Sequence, residues 1–238
     1  MFQPRTYRDW TGGDDLVTTV VAVKETDLYI RAQRELKQQA IESIQKYRVR
    51  LEDYIETNPG FLAALTPLDV AEDAPDIARQ MADAGRKCGV GPMAAVAGTI
   101  AERVGNDLLA YSDEVIVENG GDLFLKLLSE RQVGIYAGDS PLSGRLALKI
   151  SPQQTPMGMC TSSGTVGHSF SYGKADAVVA VSRSTALADA AAMAICNRVK
   201  SASDINGAIE YAMTIDGLDG VLIIIGGDMG VWGEIQLS

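Results

Sequence analysis

The sequence predicts an α+β protein in which helices flank an antiparallel sheet. Two segments rich in β-branched residues, 16–23 and 27–32, stand near the start of the chain, and a second group of short apolar segments follows residue 114. Long segments with helical spacing separate these groups. Helices that lie between groups of antiparallel strands, instead of alternating with single strands, are typical of the α+β class.

The first elements are predicted to be a β-hairpin and a long helix. Lys24, Glu25 and Thr26 join the two N-terminal strands in a short turn. Residues 34 to about 56 then form an amphipathic helix, which ends at residues 58–60, an Asn-Pro-Gly sequence. The apolar positions with helical spacing in this segment are Leu36, Ile44, Tyr47, Leu51 and Ile55.

The rest of the chain is predicted to contain four further helices and seven strands. The segment 89–92, Gly-Val-Gly-Pro, separates the first two of these helices, and the second is rich in alanine and glycine, so that a neighbouring backbone or a flat ligand can approach it closely. The helices span 76–87, 93–104, 185–199 and 204–213, and the strands span 115–117, 123–127, 133–136, 145–150, 177–181, 221–225 and 231–237.

Composition limits the function classes. With 238 residues and 46% hydrophobic content, the chain is interpreted as one domain, residues 1–238, with a hairpin and helix in 1–58 and a motif-bearing core in 89–238. A net charge of −10 argues against nucleic-acid and anionic-membrane partners. The sequence shows no apolar run of signal-peptide or membrane-spanning length, so we expect a cytoplasmic protein.

The three cysteines are not expected to form a metal site or a disulfide framework. Cys88, Cys160 and Cys196 are widely spaced, and His168 is the one histidine in the sequence. Structural zinc sites need closely spaced cysteine and histidine pairs, which are missing. Reduced and mostly buried thiols are the expected state.

Two glycine motifs invite a nucleotide interpretation. Residues 89–94 fit the G-x-G-x-x-A pattern of dinucleotide-binding folds, but a helix precedes them and Pro92 lacks an amide, so we expect a turn there and no Rossmann fold. A Gly-Gly-Asp sequence follows an apolar strand twice, at 120–122 and 226–228. This repeat predicts two similar hairpins, although Gly-Gly-Asp is also common turn chemistry.

A polar run at residues 159–169 holds five hydroxyl groups, a thiol and the imidazole of His168. Loops this rich in donors commonly bind ligands, and a plain Ser/Thr turn is the alternative. A hydrolase with Cys160 or Ser162 as nucleophile is a weaker interpretation, since there is no GxSxG motif and no third triad member can be assigned. His168 could act as an acid, a base or a hydrogen-bond donor.

Asp189 is the anomalous residue of the helix 185–199, because Ala, Leu, Met and Ile surround it. An isolated buried carboxylate is costly. Asp189 therefore either faces solvent near the first helical turn, where the helix dipole favours it, or binds a cation or a donor.

In this order the motifs resemble the ApbE family of FAD-dependent FMN transferases, which move FMN from FAD to a protein Ser or Thr using magnesium. The resemblance covers about residues 89–199 and implies a T-fold-like architecture with a nucleotide cleft. The matching segments are the glycine-containing helix 92–102, the turn Asn119, Gly120, Gly121 and Asp122, the loop Thr161, Ser162, Ser163 and Gly164, then His168, and the helix 188–194 around Asp189.

The resemblance implies site roles and cofactors. The two glycine-bearing segments would hold FAD, His168 would contact its reactive part, and Asp189 would bind Mg²⁺. Two positions depart from the family pattern: Met193 replaces a magnesium-binding threonine and Ala97 replaces a lysine. Three hypotheses follow, namely an FMN transferase-like enzyme, a nucleotide-binding module without chemistry, and a structural homo-oligomer.

Overall fold

The chain begins with the predicted hairpin and long helix. The computed structural model describes residues 15–166 and 172–238. β1 (Val17–Val23) pairs antiparallel with β2 (Thr26–Ala32), and α1 (Lys37–Thr57) follows. α1 ends at Asn58, whose amide donates to two carbonyls of the last turn. Because a proline comes next, the helix cannot continue, and both predictions are confirmed.

Five further α-helices are present in the described part of the chain, and four of them were expected from the sequence. The prediction for 93–104 is right in substance, although its first residues form the 3₁₀ turn Pro92–Ala95. Proline suits this place because its missing amide would have no partner in a first turn. The helices are α2 (Gly60–Ala63), α3 (Asp76–Lys87), α4 (Val96–Leu108), α5 (Thr185–Cys196) and α6 (Ile205–Met213).

The remaining strands are β3 (Val115–Asn119), β4 (Asp122–Lys126), β5 (Arg131–Gly134), β6 (Ala147–Ile150), β7 (Met157–Ser162), β8 (Ala177–Ser182), β9 (Leu218–Ile225) and β10 (Asp228–Gly233). Eight strands form one antiparallel sheet in the order β1-β2-β3-β4-β7-β8-β9-β10, and β5 and β6 form a separate antiparallel pair inserted after β4. Short turns join β1 to β2, β3 to β4 and β9 to β10, whereas helices α1 to α4 lie between β2 and β3 and helices α5 and α6 lie between β8 and β9.

Two predicted boundaries are wrong. The polar run 159–169 is not one loop, because its residues up to Ser162 belong to β7, which pairs with both β4 and β8. The closing strand does not span 231–237 but starts at Asp228 and ends at Gly233, where φ is 78°. After it, Leu237 bridges to Leu148 of β6.

The sheet separates two apolar cores. One face packs against α1, α3, α4, α5 and α6, and the β5–β6 hairpin covers part of the other face. Residues Phe124 and Cys160 belong to the helix-side core, whereas Leu125 and Met159 belong to the other, as expected for the alternation of a strand. In residues 15–166 and 172–238, none of the helices has the length and apolar character needed to span a membrane.

The two Gly-Gly-Asp sequences do form similar hairpins. In the first, Asn119 pairs with Asp122 across Gly120 and Gly121, and in the second Ile225 pairs with Asp228. Gly120 and Gly121 have φ values of 69° and 106°, a region that glycine enters without the strain of a Cβ atom. The expectation of two equivalent hairpins is therefore confirmed.

Candidate functional site

Four polar residues lie on the helix-facing side of the sheet, at the first Gly-Gly turn and along the last residues of β7. Asn119 pairs with Asp122, and Asp122 pairs with Cys160 of β7, so their side chains lie on the same face. Ser162 is two residues beyond Cys160 and shares that face. All four side chains are buried. Asn119 donates from Nδ2 to the carbonyl oxygen of Ala97 in α4, 3.0 Å away, which ties the first Gly-Gly turn to this helix.

The first turn of α5 is held against this patch by close backbone approaches on two sides. A Cβ atom on Gly158 of β7 would come within 2.3 Å of the Thr185 Cα, and one on Gly98 of α4 would come within 2.6 Å of the Thr185 carbonyl oxygen. Glu102 accepts hydrogen bonds from the amides of Thr185 and Ala186 at 2.7 and 3.2 Å. A carboxylate at a helix N-terminus satisfies free amides and complements the helix dipole.

Asp189 lies one turn further along α5 and is buried, as the second of the two sequence hypotheses requires. Its Oδ2 accepts a hydrogen bond of 2.8 Å from the amide of Gly98. Burial, followed by the nearby charge of Asp122, holds the pKa of Asp189 well above its usual range, and backbone amides at Gly98 and Ala97 oppose this shift. The structure thus brings Asp189 and Asp122 together, although they lie 67 positions apart in the sequence.

Asp122 is the second buried carboxyl group of the site. Burial raises its pKa to about 7, the charge of Glu118 adds to the effect, and hydrogen bonds from the Cys160 thiol and the Thr161 backbone oppose it. Two acidic side chains that are out of water and close together disfavour simultaneous ionisation. The site therefore holds a proton at neutral pH unless a cation compensates the second charge.

Cys160 does not have the character of a nucleophile. Its side chain is fully buried, and its Sγ lies 3.4 Å from the carbonyl oxygen of Thr185. Burial, and then the charges of Asp122 and Asp189, raise the pKa of the thiol well above its usual value. Since the thiolate is the reactive form, this environment argues against the cysteine hydrolase hypothesis.

Two buried hydroxyl groups of the site have unmet hydrogen-bonding capacity. Ser162 Oγ and Thr185 Oγ1 make no hydrogen bond to the described residues, although their side chains are only 6% and 0% exposed. A buried hydroxyl group without a partner costs free energy. Ser162 is one of the predicted ligand-binding residues, and its free donor and acceptor remain available at the end of β7.

The rim of the site is more exposed than its floor. A Cβ atom on Gly120 would meet no atom within 4 Å, and one on Gly121 would have the Thr161 carbonyl oxygen as its nearest neighbour at 3.9 Å. The backbone of the first Gly-Gly turn is therefore open to an incoming molecule. The amide of Gly121 already donates to Oε1 of Glu118 at 2.8 Å.

The predicted Thr-Ser-Ser-Gly segment divides between strand and loop. Thr161 and Ser162 end β7, and Ser163 uses its Oγ to accept hydrogen bonds from the amides of Thr165 and Val166 at 3.1 and 2.9 Å. Gly164 donates its amide to the carbonyl oxygen of Ala175 at 2.8 Å. Part of this segment is thus the Ser/Thr turn that the sequence left open as an alternative.

The remaining positions singled out from the sequence are His168 and Met193. His168 lies outside the described residues. Met193 is half-buried on α5, four residues after Asp189 and so on the same helical face, and packs against the helix-side core. Sequence reasoning missed Gly98 and Glu102 as partners of α5. The sequence features that could have indicated these two contacts are a glycine and a single carboxylate in the helix 92–102, which is otherwise rich in small residues.

The donor set fits a hard cation that completes its coordination with other ligands. Among residues 15–166 and 172–238, no group of three or more His, Cys, Asp or Glu side chains is placed to hold a metal ion. Asp122 and Asp189 supply two buried carboxyl groups, whose pKa values are raised first by burial and then by a negative charge nearby. Mg²⁺ commonly uses one or two carboxylates and takes its remaining ligands from waters and phosphates.

A separate groove between α1 and the end of α4 has a volume of about 300 Å³. Its central carboxylate, Asp107, is already bonded to Ser43, Lys46 and Tyr47 at 2.8 to 3.2 Å. The groove shares no residue with the site around Asp189. Its polar groups satisfy one another, so it is a weaker candidate for ligand binding.

Comparison with solved structures defines the class of protein to which this fold belongs. The flavin transferase ApbE from Vibrio cholerae superimposes with a TM-score of 0.54 at 13% identity, covering 92% of this chain and 96% of that one. The apo form of the Pseudomonas stutzeri flavinyl transferase ApbE gives a TM-score of 0.58 at 12% identity, covering 92% and 94%. At such low identity the comparison establishes an ApbE-type α+β fold.

The family follows from sequence similarity. The profile described as "AbpE bacteria" matches residues 8–231, and the chain belongs to this family. The UPF0280 protein of Methanocaldococcus jannaschii is 42% identical over 221 residues, covering 90% of each chain. The UPF0280 protein of Methanocella arvoryzae is 39% identical over 219 residues, covering 92% of this chain and 89% of the other. The resemblance identified from the sequence motifs is confirmed as a divergent ApbE-like branch.

Proposed function

We propose that this protein binds a flavin nucleotide, with FAD as the favoured ligand, in the site formed by the first Gly-Gly turn, the end of β7 and Asp189. The observation that carries the proposal is the pair of buried carboxyl groups, Asp122 and Asp189, beneath an open glycine turn. A pyrophosphate bridged by a divalent cation would compensate this pair and supply the missing ligands. The solved proteins that share the fold are named as flavin transferases.

In this proposal each part of the site has a distinct task. The backbone around Gly120 and Gly121 approaches the ligand closely, and the free Ser162 hydroxyl donates to it. Asp189, with its Oδ2 fixed by the Gly98 amide, would hold Mg²⁺ together with Asp122. When bound, the cation would neutralise pyrophosphate charge and so make the phosphoryl group a better target for a protein hydroxyl. His168 is proposed to contact the reactive part of the ligand.

A non-catalytic binding module is the second candidate, and Met193 favours it. The thioether of Met193 stands one turn from Asp189, where the family resemblance implies a threonine hydroxyl. Sulfur is a poor ligand for a hard cation. A protein of this kind would bind the nucleotide tightly with little dependence on Mg²⁺ and would transfer nothing.

Thermal unfolding with FAD, FMN, ADP or buffer, each with and without Mg²⁺, tests the proposal, because a ligand selective for the native state raises Tm. We expect an FAD-specific increase that Asp189→Asn reduces and that Asp228→Asn leaves unchanged. Asp228 is the matched control, since it occupies the same position in the second Gly-Gly-Asp hairpin and is exposed. An equal Tm with every ligand would overturn the flavin proposal.

Transfer is tested separately by mass spectrometry of an acceptor protein incubated with this protein, FAD and Mg²⁺. Covalent addition of FMN to a Ser or Thr would support the enzyme. Metal-independent FAD binding without addition would support the binding module. Asp189→Asn should abolish any addition in the first case.

A further inference from the structure

The second Gly-Gly-Asp turn, at the start of β10, differs from the first in how its backbone is used. The Gly226 amide donates to Oδ2 of Asp176 at 2.7 Å, and the Gly226 carbonyl oxygen accepts from the Ser140 hydroxyl at 2.6 Å. A Cβ atom on Gly120 or on Gly226 would meet no atom within 4 Å, so both turns are open on their outer side. In the first turn, however, the Gly121 amide donates to Glu118 of the same hairpin, whereas both polar groups of Gly226 bond to residues of other segments. The second turn is thus built as an anchor for neighbouring protein segments.

Asp176 links this turn to the segment that follows β7. Its other oxygen, Oδ1, accepts a hydrogen bond of 3.0 Å from the Thr165 hydroxyl. The Asp176 amide also donates to the carbonyl oxygen of Ile224 at 2.8 Å, which fixes the residue to β9. One carboxylate therefore joins the 163–166 segment to the second Gly-Gly turn, using a different oxygen for each.

The segment 163–166 is packed against a second neighbour. Gly138, at φ 52°, lies so close that a Cβ atom there would come within 2.7 Å of the Val166 side chain and 3.6 Å of Thr165 Oγ1. Gly164 has equally little space, since a Cβ atom on it would lie 2.2 Å from the Gly173 carbonyl oxygen. The segment is therefore confined by backbone on two sides as well as by Asp176.

We infer that Asp176 is a positioning residue, which latches residues 163–166 to the Gly226 turn and so fixes the rim of the flavin site next to Ser162. This inference rests on the proposed function, because it assigns the 163–166 segment to that site. It also gives the second Gly-Gly-Asp turn a role that differs from ligand binding. Asp176 touches no part of the proposed ligand itself and acts through Thr165.

Four variants separate the latch from general stability. Asp176→Ala removes both bonds, and Thr165→Val removes the hydroxyl at nearly constant volume. Asp176→Asn retains an acceptor for the Gly226 amide and a donor for Thr165 Oγ1, so it should restore the wild-type state. Gln33→Ala is the matched control, since Oε1 of Gln33 also accepts from one backbone amide and one hydroxyl group, those of Asp113 at 3.0 Å and Ser112 at 3.4 Å, beside the end of β3 opposite to the first Gly-Gly turn.

The experiment combines hydrogen exchange of the ligand-free protein with FAD titration calorimetry. Asp176→Ala and Thr165→Val should raise amide exchange at residues 164–166 at least about tenfold and weaken FAD binding at least about fivefold, roughly 1 kcal/mol. Asp176→Asn and Gln33→Ala should leave both quantities within about twofold of wild type.

Three results would overturn the inference. Unchanged exchange at 164–166 in Asp176→Ala would show that there is no latch. Faster exchange with unchanged FAD affinity would show a latch without a positioning role, and equal loss of affinity in Gln33→Ala would reduce the effect to stability. Failure of the wild-type protein to bind FAD would overturn both the proposed function and the positioning role of Asp176. The exchange data would still decide whether the latch exists.

Discussion

The amide of Gly98 in α4 donates a 2.8 Å hydrogen bond to Oδ2 of Asp189 in α5, across 91 positions of sequence. This contact exists because residue 98 has no Cβ atom. A Cβ there would lie 2.8 Å from the Asp189 Cβ and 2.6 Å from the Thr185 carbonyl oxygen. One glycine thus permits the close approach of two helices and supplies the donor that orients a buried carboxyl group.

Replacement of Gly98 by alanine should be destabilising even though alanine is the better helix former. The added methyl group meets backbone, which cannot move away as a flexible side chain can, so we expect a loss of about 1–3 kcal/mol in the free energy of unfolding. Gly207→Ala in α6 is the matched control, because a Cβ atom there meets nothing within 4 Å. It should stabilise by about 0.5–1 kcal/mol in urea denaturation. Equal effects of the two changes would contradict this account.

Glu102 is expected to stabilise α5 by capping its first turn. Glu102→Ala leaves the amides of Thr185 and Ala186 without their acceptor and should cost about 1–2 kcal/mol, whereas Glu102→Gln keeps an oxygen acceptor and should cost less. Chemical denaturation measures both losses. A loss from glutamine as large as that from alanine would show that charge, not hydrogen bonding, carries the effect.

The pKa of Asp122 predicts how the stability of the ligand-free protein changes with pH. The pKa rises from 3.8 to about 7 on folding, so the unfolded state releases the proton first and native stability falls as pH rises between these values. Asp122→Asn removes this cost, and its stability relative to wild type should increase from about pH 4 to about pH 7 and then level off, by at most about 4 kcal/mol.

Asp228→Asn is the control for this pH series, because Asp228 occupies the corresponding and exposed position of the second hairpin. The comparison separates the effect of burial at Asp122 from that of removing a carboxyl group from a Gly-Gly-Asp turn. Urea denaturation at unit intervals of pH measures both variants. A constant difference between Asp122→Asn and wild type would show that the carboxyl group does not titrate in this window.

Most of the fold could be predicted because its helices and hairpins have local signals. The helix predicted from residue 76 to about 87 spans Asp76–Lys87, and the N-terminal hairpin differs only at its ends. No strand was predicted where β7 lies, since Cys160, Thr161 and Ser162 are polar or small and only their place between β4 and β8 makes them a strand. A central position in a sheet is a property of the whole topology, and no local pattern reveals it.

The candidate site could be predicted from the sequence only in part, for a similar reason. Asp189 could be found from the sequence alone, because a carboxylate among apolar helix residues requires an explanation. Its partners could not, since Gly98 and Asp122 reach it only through the packing of α4 and β4. The second Gly-Gly-Asp turn was visible as a repeat, but its use by Asp176 depends on the contact between two loops.

Met193 provides a test of the proposed cation site that adds a ligand instead of removing one. Met193→Thr places a hydroxyl on the Asp189 face of α5, so we expect the FAD-induced increase in Tm to become more dependent on Mg²⁺, by at least about 2 °C. Met193→Leu is the matched control, as it removes the sulfur without adding an oxygen and should leave the Mg²⁺ dependence as in wild type. If Met193→Thr responds to Mg²⁺ no more than Met193→Leu does, Asp189 does not form a cation site together with position 193.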